Sequence, residues 1–323
     1  MSHRTTVNAA LAALLRAEGG VISRPAALRV VPEHVVKHAI RAGQVRPVYP
    51  GVLVARKLLA SRTARWRAAL LRAGPDAALS HLSALEVWDL PVPGRDEVHV
   101  TIARDRRLRV AGIVAHRRAG FVAEPPAVVV RQDVAVTRLE RTLVDAWSLL
   151  EGDTQRAPLL AAVGRRWTTA DRVLAALRAH PPGRADQATL RVLLHKLTIG
   201  CRSELELWGY DHVFVGPGMP ALDRQVPVSI DGRTIYLDLL HRPTLTNFEL
   251  DGTKWHDGLS QRDRDVGRDA DLAKLGIHTI RFTHDRLRLE PDAVRRDVLA
   301  ILDRRAELVV NPDDTNRTLG HPV

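Results

Sequence analysis

A single cysteine, two methionines and only 4% aromatic residues are what this 323-residue chain has least of. One thiol excludes a disulfide framework. So few rings leave cores to be built mainly from Leu, Val and Ala. No apolar run approaches the roughly 18 residues of a membrane-crossing helix. Asn8 and Arg16 bound the first apolar stretch too closely for a secretion signal. Lysine is scarce too, 5 against 43 arginines. No Walker-type loop, cofactor fingerprint or internal repeat is present. The expectation is a soluble, cytoplasmic protein with no membrane partner.

What the chain does have is charge, unevenly placed. Residues 1–72 carry thirteen Lys and Arg against two Asp and Glu, and the remainder balances, so the whole net charge of +11 sits at one end. A basic segment joined to a neutral remainder suits a polyanionic partner such as double-stranded DNA. Arginine is suited to bidentate contact with phosphate and guanine. A GC-rich genome accounts for much of the arginine bias, but not for its concentration in one segment. The length predicts two or three domains. We divide the chain into residues 1–57, 58–183, 184–306 and a disordered tail, 307–323, with Pro181-Pro182-Gly183 as the linker into the last folded part.

Within the basic segment the pattern predicts helices over 8–17, 25–28 and 32–43, then strands over 45–49 and 52–55 turned by Pro50-Gly51. Three helices and a two-stranded wing make a winged helix-turn-helix. On the third helix Val35, Val36, Ala39 and Ile40 form the apolar stripe, while His34, Lys37, His38 and Arg41 recur at helical spacing on the other face. That face is where a recognition helix meets the major groove. Arg46 and Tyr49, on the wing, are candidates for backbone contact. A winged helix used for protein contact is the competing reading. The segment resembles the N-terminal domain of AbiEi-type antitoxins of type IV toxin–antitoxin systems, through its helix-Gly-Gly start, the Arg24-Pro25 entry and the wing RPVYPGVLV. LSHLSALEVWDLP at 79–91 and VAVTRLERTLVDAW at 134–147 continue the resemblance. It implies transcriptional autoregulation and a cognate toxin as a possible partner.

The middle reads as a small α+β unit. Helices are predicted over 58–72 and 77–88, strands over 97–103, 112–117 and 128–136, a helix capped by Thr137 and running to 150, and helices over 170–179 and 188–196. His81, Glu86, His116 and Asp145 stand here without the spacing of metal ligands or of a nucleophile system, and read as surface or capping residues.

The stretch 236–272 carries the most chemistry. Asp238 lies in an apolar strand-like run, and Glu249 and Asp251 follow two residues apart, so both face one side of a strand. If the Asp238 strand pairs antiparallel through Arg242-Pro243, three carboxylates converge and need a cation. Oxygen ligands suit Mg²⁺ or Mn²⁺, the equipment of metal-assisted phosphodiester hydrolysis. Strands over 226–230 and 234–240 meet at the turn Asp231-Gly232. The acidic strand 246–251 follows, then a helix over 259–275 stopped by Gly276, then a strand over 277–282. The alternating charges from Arg262 to Asp269 read as a solvated helix face.

This order resembles the Vsr-like, very-short-patch-repair branch of the PD-(D/E)XK endonuclease fold, over about residues 186–305. The matching words are RQVPV, the Asp238 strand, ELDGTKWH at 249–256, RDRDVGRDADLAKLG at 262–276 and IRFT. The resemblance implies that Asp238 and Glu249 hold the metal, that Glu206 adds an acid to it, and that His256 activates or orients water. Asp251 stands where many relatives carry lysine, and Lys254 is out of register with that position. With only Cys201, the family's structural zinc site is absent, and mismatch recognition does not carry over.

The expected fold class is therefore α+β and α/β multidomain: a winged helix-turn-helix, a middle α+β unit, and a restriction-endonuclease-like domain with a mixed central sheet flanked by helices. The expected function is Mg²⁺-dependent nicking or cutting of DNA. The alternative is a non-catalytic transcriptional regulator or antitoxin-like DNA-binding protein.

Overall fold

The computed structural model describes residues 8–94, 96–179, 186–201, 203–251 and 259–310. The chain divides into two compact units, 1–190 and 191–323. It is a mixed α+β protein whose described strands form three sheets.

Unit 1 opens with α1 (Ala9–Ala17), β1 (Val21–Ser23), α2 (Arg24–Val30), α3 (Glu33–Arg41), β2 (Val45–Tyr49) and β3 (Val52–Ala55). Local chemistry sets each boundary. The Asn8 side chain accepts from the backbone N–H groups of Ala10 and Leu11, and Ser23 caps α2 in the same way. Gly19 and Gly20, both at positive φ, end α1. The strands form an antiparallel sheet in the order β1-β3-β2. β1 is an addition to the expected pattern, since three residues are too few to display a period. Leu11, Leu15, Ile22, Val36, Ala39 and Leu53 fill the core beneath the helices.

After a 3-10 turn at Arg56–Leu58 comes α4 (Arg62–Ala73). Its two faces serve two cores. Ala64 and Ala68 pack with Val21, Val52 and Val54, while Trp66, Ala69 and Ala73 pack with Val98, Val100 and Ile102.

The second sheet is built from β4 (Ala78–Leu79), β5 (Val98–Ala103), β6 (Ile113–Arg118), β7 (Val128–Arg131) and β8 (Val134–Thr137), in the order β6-β5-β4-β8-β7. α5 (His81–Val87) leaves β4 directly, so the helix expected over 77–88 is a short strand and a shorter helix. The strand expected over 128–136 is two strands, because Gln132 and Asp133 both take positive φ and turn the chain into a hairpin. α6 (Leu139–Trp147) has Arg138 at its N-cap. Thr137 stays on the strand and bonds the Thr142 hydroxyl at 2.8 Å. α7 (Gly152–Gly164), unanticipated, and α8 (Ala170–Arg178) follow. Pro181-Pro182-Gly183 lies outside the described residues, and α9 (Asp186–Thr198) spans the unit boundary.

Unit 2 continues with α10 (Glu204–His212), β9 (Asp223–Ile230), β10 (Arg233–His241), β11 (Thr246–Asp251), α11 (Leu259–Lys274), β12 (His278–Thr283), α12 (His284–Leu289) and α13 (Pro291–Val310). The sheet order is β12-β11-β10-β9. β9, β10 and β11 form an antiparallel meander, and β12 lies parallel to β11 after α11. Asp231 and Gly232, both at positive φ, make the tight β9–β10 turn. Leu239, Phe248 and Phe282 enter one core with residues of α10, α12 and α13. Leu237, Leu240 and Ile277 enter another with Leu272 of α11. Among the described residues no helix is long and apolar enough to cross a membrane. Of the tail expected to be disordered, 307–310 instead continue α13, and 311–323 lie outside the described residues.

Candidate active site

The β10–β11 register pairs Leu239 with Phe248. One step further along it, Asp238 stands opposite Glu249. Here the ladder gives way to the side chain: the Leu250 backbone N–H donates to Asp238 Oδ2 at 3.0 Å. Gln225 Nε2 donates to Asp238 Oδ1 at 3.1 Å and to Glu206 Oε2 at 3.4 Å. Gln225 holds positive φ within β9, and its amide joins the acid of α10 to the acid of β10. Glu206 and Glu249 are buried.

Glu249 Oε1 accepts from Asn247 Nδ2 at 2.8 Å and from Arg268 Nη2 at 3.0 Å. The same Arg268 nitrogen donates to the Tyr236 carbonyl at 2.7 Å. On β12 Arg281 stands beside Glu249 in register and pairs with Asp269 of α11. Arg268 and Asp269 are therefore turned onto the sheet, a correction to the solvated face expected of that helix. Burial raises the Asp238 carboxyl above its ordinary range against the pull of Leu250 N–H and Arg268. Burial, and then the charge of Asp238, raise Glu249 as well. These two carboxylates repel each other at close quarters. Asp251 ends β11, half-buried, two residues beyond Glu249 and opposite Thr283. A recess of about 320 Å³ opens beside Arg268, lined by Ile230, Arg233, Ile235, Gly267 and Asp271. His256 and Lys254 lie outside the described residues.

Among the described residues no group of three or more His, Cys, Asp or Glu side chains is arranged to hold a metal ion. The pair Asp238 and Glu249 nevertheless fits Mg²⁺ by its chemistry. That ion takes one or two carboxylates and completes its shell with water and phosphate oxygens, and a cation relieves the repulsion between them. Cys201 is wholly buried, with Sγ 3.9 Å from the Glu206 carbonyl. Burial pushes its thiol up to about 11.

In unit 1, His34, Lys37, His38 and Arg41 of α3 and Arg46 of β2 are all exposed, opposite the buried Val36 and Ala39. Lys37 pairs with Glu33 at 3.3 Å, and Glu33 with Arg24 at 2.8 Å. Tyr49 differs from these. Its ring packs against the cores on both sides of α4, and its hydroxyl donates to the Gly112 carbonyl at 3.5 Å.

The middle sheet gathers residues whose spacing gave no hint of proximity. The His81 and His116 rings stack at 3.4 Å, and His99 Nδ1 lies 3.0 Å from His116 Nε2. His81 sits at φ +50 where β4 turns into α5. Asp145 is buried beside them and bound by Arg118 and Arg141. Burial, and then the like charge of His116, hold His81 well below its ordinary value. Glu86 lies apart, accepting from Trp66 Nε1 at 3.2 Å.

No family model and no curated protein matches the chain. Among solved structures it is similar to the RV2827C protein from Mycobacterium tuberculosis. The identity is 14%, over 58% of this chain and 74% of that one, with a TM-score of 0.39. A likeness this loose carries no argument about fold or activity.

Gln225, Asn247 and Arg268 are the site residues that sequence reasoning missed. Gln225 and Arg268 lie inside two words of the resemblance, RQVPV and RDRDVGRDADLAKLG, but neither word singles them out. Nothing in the spacing marks Arg268 as an arginine that reaches Glu249.

Proposed function

We propose that this chain is a DNA-binding protein whose C-terminal unit is a Mg²⁺-dependent endonuclease of PD-(D/E)XK type, nicking or cutting phosphodiester bonds. The observation that carries the reading is the placement of Asp238 opposite Glu249 on adjacent strands, Glu249 buried and Asp238 half-buried, with both carboxyls driven up by desolvation. Asp238 and Glu249 would hold the ion. When bound, Mg²⁺ supplies a water of lowered pKa and neutralises charge developing on phosphate. Gln225 fixes the Asp238 carboxylate and ties it to Glu206. Arg268 orients Glu249 and keeps a positive charge beside it, where a phosphate would lie. Asp251 stands on the same side of β11 as Glu249, available to a water or to the ion. His256 is the proposed water-orienting group. In unit 1, α3 and the β2–β3 hairpin are read as the recognition helix and wing of a winged helix-turn-helix, with duplex DNA as partner. Its resemblance to AbiEi-type antitoxins makes autoregulation and a toxin partner part of the proposal, and the cytoplasm its compartment.

A second reading has its own support. Arg268 already neutralises Glu249 at 3.0 Å, as it would in a DNA-holding module that cuts nothing, and Asp251 replaces the usual lysine. Purified protein on supercoiled plasmid decides between them. With Mg²⁺ the wild type should nick or linearise the plasmid, chelator should stop it, and Glu249→Gln should reduce it to background while duplex binding persists. Glutamine keeps the Oε1 acceptor for Asn247 and Arg268, so the fold should survive. Wild type and Glu249→Gln cutting equally would sink the nuclease. No cutting by either, with specific duplex binding intact, would support the regulator.

A further inference from the structure

Unit 1 contains a set of flat groups that the proposed function does not use. The Arg131 guanidinium lies over the Trp88 ring at 4.9 Å and over the Trp167 ring at 5.9 Å. Arg165 lies over Trp167 at 4.9 Å. Trp88, Arg131, Trp167 and Arg165 thus form an alternating ladder of indole and guanidinium planes. Their edges are pinned. Trp88 Nε1 donates to the Thr137 carbonyl at 3.1 Å, Arg131 Nε to the Val87 carbonyl at 3.0 Å, and Arg165 Nη1 to the Asp89 carbonyl at 2.9 Å. The pinned edges hold these groups in place, and Trp167 keeps 38% of its surface in solvent. Beside the ladder is a recess of about 450 Å³ lined by Trp88, Arg131, Trp167, Arg138, Arg172 and Glu140. Glu140 is buried; it accepts from Thr168 Oγ1 at 2.8 Å and from Arg172 at 2.8 Å, with Arg138 at 4.0 Å. One carboxylate thereby draws two arginines to the mouth of the recess.

We infer that this recess takes an unpaired nucleotide of a single-stranded nucleic acid, with the base stacking on the ladder and the phosphate on Arg138 or Arg172. The recess is of the size that holds small ligands, roughly 300–1,000 Å³. Indole and guanidinium faces both stack on bases, and arginine adds the charge that tracks a backbone. Arginines alone would suit any polyanion; the alternation of planes selects a flat one. A base within a duplex is already stacked on its neighbours and does not present its face to such a recess. The site is distinct from the exposed face of α3, which is read as a duplex contact, and from the acids of unit 2.

The test is tryptophan fluorescence on the full chain, titrated with a mixed-sequence 12-mer single strand in the presence of excess unrelated duplex. The same backbone without bases serves as the comparison, and thermal melts check the fold. The single strand should quench fluorescence and bind about tenfold tighter than the abasic strand, the loss of one stacked base being worth about that factor or more. Trp167→Ala should remove most of the quench and about tenfold of the affinity, leaving abasic binding unchanged. Arg131→Lys keeps the charge but loses the plane; it should weaken the single strand in the same way, and it reads the site independently if the alanine variant melts early. Equal binding of normal and abasic strands overturns the inference. So does unchanged affinity in both variants with the fold intact, or removal of the quench by the excess duplex.

Discussion

At the scale of single residues, the stacked histidines make the sharpest statement about pH. His81 is held neutral by burial and by its neighbours His99 and His116, with Asp145, Arg118 and Arg141 closing the cluster. Its folded value lies below the roughly 6.5 of an unfolded chain. The unfolded state therefore binds more protons below that pH, so the contribution of His81 to stability is complete above about pH 6.5 and is lost as pH falls toward its folded value. Burial works against the Asp145 carboxylate, but His81, Arg141 and Arg118 outweigh it and hold its pKa below the ordinary value. Its contribution is present above the ordinary carboxylate range and is lost as pH falls through its lowered folded value. His81→Asn should flatten the decline in melting temperature from pH 7 to 5, because asparagine tolerates the positive φ there and does not titrate. An unchanged slope would show that the cluster does not set the acid limit. The sequence brought Asp238, Glu249 and Asp251 into view because strand periodicity is short-ranged and acids in an apolar run are conspicuous. It could not bring out Gln225, whose role depends on an irregular φ in β9, nor His99, whose ring neighbours come from α5 and β6.

At the scale of elements, punctuation was legible where its chemistry is strong. Asp231-Gly232, Pro50-Gly51 and Gly276 each act within a few residues. Gln132-Asp133 makes the same kind of turn as Asp231-Gly232 without a glycine, and so the hairpin of β7 and β8 reads as one strand. α7 was missed because its apolar residues do not gather on one face and Pro158 interrupts it. α3 was read from its two faces, and its exposed face carries an affinity prediction. Each phosphate contacted by Lys or Arg adds about 0.9 to the log–log salt slope of duplex binding. Lys37→Ala with Arg41→Ala should flatten that slope by about 2 if both touch phosphate. A slope equal to the wild type's would assign the basic face to some other partner. Glu33 competes for Lys37, so the lysine's share is the smaller if the ion pair survives on DNA.

At the scale of the whole molecule, the concentration of charge in residues 1–72 was plain from composition, but the sharing of α4 was not. A helix that buries alanines on one side and Trp66 on another looks, in sequence, like a connector. In the fold it belongs to two cores at once. A fragment ending at 72 should therefore fail to melt cooperatively, with Trp66 and Ala69 stripped of their partners, while residues 1–198, which keep α9 whole, should fold. Circular dichroism on both fragments checks this, and a cooperative melt of the shorter piece equal to that of the longer would refute the shared-helix account. Unit 2 carries its own timepiece. Cys201 is the chain's one thiol, fully buried, with its pKa pushed to about 11. A thiol reagent has a single target in the molecule and no thiolate to meet while the fold is closed. The rate at which label accumulates then clocks the opening of the segment beside Glu206, and any ligand gripping the acids of that unit should slow the clock without touching sulfur.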